Sequence, residues 1–127
     1  MKKIKIFGKI IQGEEVVEFT GKGVYQIEFD QLQWKDDNKE EQYILDLKWN
    51  ILSKDTQEIN CVFHFIPNQT TPNNYTLKEY QQTVLISIYT KSIEQFAHRR
   101  VYHYDVEETQ EQPKTIVFDL QWEEESN

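Results

Sequence analysis

Between Tyr43 and Ile51 the chain alternates, with Tyr43, Leu45, Leu47, Trp49 and Ile51 on one side and Asp46, Lys48 and Asn50 on the other. A period of two is the mark of a strand with one buried face, because successive side chains of an extended backbone point to opposite sides. No helix presents these five apolar residues as one stripe. The same rhythm marks strands near Lys3 to Gln12, Glu15 to Thr20, Val24 to Phe29 with a continuation toward Trp34, Glu58 to Ile66, Thr83 to Thr90, Arg100 to Val106 and Thr115 to Glu123. The chain therefore reads as all-β, with about eight strands.

The connections support a sequential antiparallel order. Gln12-Gly13-Glu14 and Gly21-Lys22-Gly23 supply glycines where tight hairpins need positive φ. Lys35 to Glu41, Ser53 to Gln57 and Glu107 to Pro113 read as polar links, and Pro67 to Asn74, with two prolines and three asparagines, reads as a surface loop. Ser92 to Arg99 is the one stretch with the spacing of a helical turn. Short links and the need to cover sheet edges favour an up-and-down antiparallel barrel of calycin or lipocalin type over the alternative, a two-layer β-sandwich. At 127 residues, one domain over 1–127 can bury an adequate core without staples.

Composition narrows the function classes. Fourteen basic side chains against twenty-two acidic ones give a net charge of −8. Such a surface repels phosphate backbones and anionic lipid, so neither nucleic acid nor a membrane is expected as a partner. Cys61 is the single cysteine, which excludes an internal disulfide and fits a cytoplasmic protein. Lys5 and Lys9 interrupt the opening apolar stretch, so it does not read as a signal peptide.

Catalytic signatures are lacking. No glycine-framed nucleophile or phosphate-cradling loop occurs. Cys61 alternates with Ile59, Phe63 and Phe65 and should point inward as a small hydrophobe. His64, His98 and His103 have no metal-site spacing. His103 and Asp105 share a strand face, where the carboxylate could orient the imidazole. Arg99 and Arg100, beside Tyr102 and Tyr104, form the one basic and aromatic cluster, best read as arginines paired with carboxylates. No catalytic residue, metal ligand or cofactor is expected.

Seven Phe, seven Tyr and three Trp supply unusually many rings for a chain of this size. The predicted inward set includes Tyr43, Trp49, Phe63, Phe65, Phe118 and Trp122. Rings of this bulk would fill most of a narrow barrel and leave at most a small aromatic-walled pocket.

Four segments carry a resemblance: Thr20-Gly21-Lys22-Gly23-Val24-Tyr25, then Phe65-Ile66-Pro67 leading to Tyr75-Thr76, then Ile88-Tyr89-Thr90-Lys91-Ser92-Ile93, and Tyr102-His103-Tyr104-Asp105-Val106. In these the chain resembles the YwiB-like family of Gram-positive bacteria, small uncharacterised barrels grouped with the lipocalin or calycin fold. The resemblance implies a fold and brings no activity, so no catalytic residue comes with it.

The leading expectation is a non-enzymatic barrel holding a small apolar or amphipathic molecule at one end, near Pro67 to Asn74, with the six rings as its tentative lining. The second is an acidic protein binding a basic protein partner through Asp36, Asp37, Glu40, Glu41, Glu107, Glu108, Glu111 and Glu123 to Glu125. An enzyme would require a cleft that joins His64, His103 or several carboxylates.

Overall fold

The computed structural model describes residues 1–107 and 114–125. Ten strands run in chain order: β1 (Lys2–Gln12), β2 (Glu15–Gln26), β3 (Gln31–Asp36), β4 (Glu41–Asp46), β5 (Ile51–Thr56), β6 (Ile59–His64), β7 (Gln69–Leu77), β8 (Gln82–Phe96), β9 (Arg99–Glu107) and β10 (Lys114–Glu124). Each pairs antiparallel with its neighbours in sequence, and β1 pairs with β10, so the sheet closes into one barrel. That closure rules out the sandwich alternative. It is also an up-and-down order, as the short links implied.

The count is ten rather than eight because the alternation at Tyr43 to Ile51 conceals a turn. Asp46 Oδ1 accepts the backbone N–H groups of Lys48 at 2.9 Å and Trp49 at 2.8 Å, and Asn50 takes φ +55°. An Asx turn of this kind reverses the chain as a backbone turn would. Residues read as one strand thus become the end of β4 and the start of β5, and Ser53 to Gln57, read as a link, falls largely within β5. Leu47 stays buried, but Trp49 is 64% exposed. The expected inward position of Trp49 is therefore overturned.

Three other expectations change for physical reasons. Gly21-Lys22-Gly23 is not a hairpin but the middle of β2, where the backbone of β3 comes so close that a side chain would collide with it. Ser92 to Arg99 is not helical; it completes β8 beyond a register irregularity between Thr90 and Ser92, then turns into β9. Most of Pro67 to Asn74 belongs to β7 rather than to a loop. There β7 pairs fully with β8, but its ladder with β6 covers only Ile59–Cys61 against Tyr75–Leu77. Pro72 lies in the part of β7 that lacks the β6 ladder, an edge-like position of the kind a strand proline tolerates.

Side chains close the gap instead. Asn73 Oδ1 accepts the His64 N–H at 2.7 Å, its Nδ2 donates to the Ile86 carbonyl at 3.1 Å, and Thr71 Oγ1 donates to the His64 carbonyl at 2.7 Å. Both residues are buried, as satisfied polar groups in a wall can be. By contrast the first link is as expected: Gln12 pairs with Glu15, and positive φ falls on Gly13, the first of the two loop residues, as a type II′ hairpin requires. Of the link read at Glu107 to Pro113, Glu107 ends β9 and the remainder lies outside the described residues.

The core fills the middle of the barrel. Ile4, Ile6, Leu32, Trp34, Leu45, Leu52, Phe65, Ile88, Tyr102, Phe118, Leu120 and Trp122 are each at most 6% exposed. Rings link across it, with Phe65 against Tyr102 at 4.6 Å, Tyr102 against Phe118 at 6.0 Å and Phe118 against Phe19 at 6.0 Å between centroids.

Candidate functional site

The two ends of the barrel differ. At the end bearing the β2–β3, β4–β5 and β8–β9 turns, polar groups tie the turns together over the core. Arg100 Nη1 donates to the Leu47 carbonyl at 2.8 Å and to Asn50 Oδ1 at 2.9 Å, and the Tyr102 hydroxyl donates to the same Asn50 oxygen at 2.8 Å. The Leu47 N–H donates to the Asp30 carbonyl at 2.9 Å, and Asp30 Oδ1 accepts the Tyr25 hydroxyl at 2.8 Å. Trp122 lies beneath, with His98 6.1 Å away. A recess of about 220 Å³ bounded by Tyr25, Asp30, His98, Arg100 and Glu124 indents this end.

At the opposite end the inward-facing row stays apolar but is not covered by the described residues. On β1, Ile10 follows Ile4, Ile6 and Gly8 on the inner face, yet it is 39% exposed. Its partner Val17 on β2 is 52% exposed, and Val84, inward like Ile86 and Ile88 on β8, is 38% exposed. Phe19, Ile59, Ile86, Val106 and Ile116 are half-buried on the same inner surface. Residues Glu15 to Thr20 of β2 rise beyond the top of β3, whose pairing with β2 starts only at Gly21. Among the described residues the result is an open rim lined with branched aliphatic side chains.

Polar atoms inside the rim come from one register row and from Glu41, two residues before Tyr43 on β4. Trp34, Tyr43, Lys54, Cys61 and Tyr75 stand side by side across β3 to β7. The Tyr43 ring stacks on Trp34 at 5.0 Å, and its hydroxyl donates to Glu41 Oε2. Lys54 Nζ lies 5.8 Å from the centre of the Tyr43 ring and 3.8 Å from Glu41 Oε1. Burial, then the hydrogen bond to Glu41, pushes the Tyr43 phenol well above its ordinary range. Burial also raises the Cys61 thiol and lifts Tyr104 to about 12. These groups are held in their neutral forms, which is the opposite of nucleophile activation.

The six rings singled out from the sequence do not form one pocket. Tyr43 lies at the open rim; Phe63, Phe65 and Phe118 lie in the ring-packed middle; Trp122 lies beneath the closed end; and Trp49 is outside, on the β4–β5 turn. The expected binding end near Pro67 to Asn74 is the closed one, because those residues form the start of β7 and the turn before it. Lys54 and the aliphatic rim were not singled out, and Glu41 entered only as part of an acidic surface. Lys54 sits in a stretch so polar that its inward direction has no sequence signal.

Other sequence candidates are dispersed. His103 Nε2 lies 3.1 Å from Glu94, while Asp105 holds Lys91 at 3.2 Å and accepts Thr115 at 2.7 Å, so His103 and Asp105 do not pair. Arg99 makes the expected carboxylate contact, donating to both oxygens of Asp119 at 2.9 and 2.8 Å; Arg100 is spent on the closed end. Asp36, Asp37, Glu40, Glu41 and Glu107 stand at the open end and Glu123 to Glu125 at the closed one, while Glu108 and Glu111 lie outside the described residues.

A ten-stranded barrel of this order has a solved counterpart. The crystal structure of the YwiB protein from Bacillus subtilis superposes with a TM-score of 0.77, over 98% of this chain and 93% of that one, at 15% sequence identity. The fold is that of YwiB. No protein-family profile and no curated protein matches the sequence. At this level of identity the YwiB-like likeness concerns architecture: two chains that share few residues close the same small barrel. No helix among the described residues is long and apolar enough to cross a membrane.

Proposed function

We propose that this chain is a non-enzymatic, calycin-like binding barrel of the cytoplasm that holds the apolar part of a small amphipathic molecule inside its open end. The observation that carries the reading is the asymmetry of the inner surface. Ile10, Val17 and Val84 belong to the core-facing rows but remain 39%, 52% and 38% exposed, while the other end is tied shut. Aliphatic side chains exposed on the core-facing rows gain by removing a ligand's apolar surface from water, at roughly 25 cal/mol per Å² buried. Neutral Tyr43, Cys61 and Tyr104 support binding rather than catalysis.

The test is a thermal shift of the full chain with 1-decanol. A ligand present at about one hundred times its Kd stabilises by about 2.7 kcal/mol, which for a domain of this size raises Tm by roughly 10 °C. Val17→Glu puts a charge on an already exposed rim position, so it should leave Tm alone without ligand and remove the shift. No shift in the parent chain, or an undiminished shift in V17E, contradicts the reading. Capture of a basic protein partner is the second reading; the division of its acidic residues between opposite ends of the barrel is why it ranks behind.

A further inference from the structure

We infer that the open end selects an uncharged head group able both to accept and to donate a hydrogen bond, a hydroxyl above all, read by Lys54 and Glu41 together. This rests on the binding reading above and deepens it. Lys54 projects from an inward row between Tyr43 and Cys61, both packed against or within the core, so its ammonium is carried at the mouth rather than on the outer wall. Among the described residues its polar contact is Glu41 Oε1 at 3.8 Å, beyond hydrogen-bond length. Glu41 Oε2 is already engaged by the Tyr43 hydroxyl. What is left is a donor and an acceptor facing each other across a gap, at the edge of an aliphatic surface.

Charge arithmetic decides which head fits that gap. A carboxylate placed there is attracted by Lys54 and repelled by Glu41 from nearly equal distances, so the two effects cancel and no proton is offered to Oε1. An alkylammonium meets the mirror image. A hydroxyl suffers neither repulsion: its oxygen accepts from the ammonium and its hydrogen goes to the carboxylate, two charge-assisted hydrogen bonds made without adding a charge. The side chains are 31% (Lys54) and 19% (Glu41) exposed, so the pair is shielded but reachable.

The experiment is calorimetric titration of the full chain with 1-decanol, decanoate and decylamine at pH 7.5, repeated on Glu41→Gln and Lys54→Met, each checked for folding by circular dichroism. In the parent chain decanol should bind roughly tenfold more tightly than either charged analogue. E41Q keeps an acceptor for Tyr43 but leaves Lys54 unopposed, so decanoate should gain roughly tenfold and become the preferred ligand; K54M should shift preference to decylamine. Either variant alone suffices if the other does not fold. Equal affinity for the three heads in the parent chain, or a ranking that neither variant alters, overturns the head-group inference and leaves the binding barrel standing. No binding of any of the three to the parent chain overturns both.

Discussion

A Cβ built on Gly23 would stand 1.8 Å from the carbonyl oxygen of Gln33 and 2.6 Å from the Cα of Trp34. Both are backbone atoms of β3, so no rotamer change can make room. Gly23→Ala should destabilise the barrel by about 3 kcal/mol, at the upper end for overpacking, measured as a fall in the urea midpoint. A midpoint within error of the parent would mean that β2 and β3 are not in this register. Buried phenols make a second prediction at this scale. Tyr102 and Tyr104 are raised by burial from an ordinary 10.0 to about 12, so the folded state keeps protons that the unfolded chain releases. Their contribution is complete below pH 10 and is lost between pH 10 and 12, on the order of 2 kcal/mol for each. The urea midpoint should fall across that window, and Tyr102→Phe with Tyr104→Phe should flatten the fall. A parent midpoint that does not change from pH 10 to 12 contradicts the burial.

Elements show where sequence and structure part. Hydrophobic rhythm placed β1, β6, β9 and β10 nearly to their ends, because on those strands one face meets the core along most of the length. The same rhythm misled at Tyr43 to Ile51, since Leu47 is buried on both sides of the question: it faces the core whether the chain runs straight or turns. What reverses the chain is the carboxylate of Asp46 and the positive φ of Asn50; both residue types favour turns, but the unbroken apolar alternation around them masks that signal. At β7 the misleading signal was the run of proline and asparagine. Asn73 is not there to make a loop; it stands in for a missing stretch of ladder. Asn73→Ala leaves the His64 N–H and the Ile86 carbonyl without those partners, which should cost about 2–4 kcal/mol. Hydrogen exchange at His64, Thr71 and neighbouring amides of β6 and β7 should accelerate more than exchange in β1 or β10. Uniform acceleration across all strands would show that the β6–β7 seam is no weaker than the rest of the wall.

On the scale of the whole molecule, closure follows from topology: ten antiparallel strands joined in order, with β1 against β10, give every strand a neighbour on both sides, with unpaired backbone at the top of β2 and in the β6–β7 seam. Ring bulk was the right guide to the middle, where Phe65, Tyr102 and Phe118 pack solidly; of the six rings singled out only Tyr43 stands at the open rim, beside aliphatic side chains that ring bulk does not point to. The end that the sequence favoured is the end that Arg100 and Asn50 close, a contact between residues far apart in the chain that no local pattern can announce. Net charge of −8 bears on solubility and association, and not on the fold.

Binding of an apolar chain requires one end of the barrel to be an apolar mouth. The most direct measurement is a methyl-detected nuclear magnetic resonance titration of the full chain with 1-decanol, with the methyl groups of Ile4, Ile10, Val17, Val84, Ile116 and Leu120 assigned. Saturable shifts confined to Ile10, Val17, Val84 and Ile116, with Ile4 and Leu120 still, are the predicted result. Shifts centred on Ile4 and Leu120 instead, or none at any of the six, would contradict it.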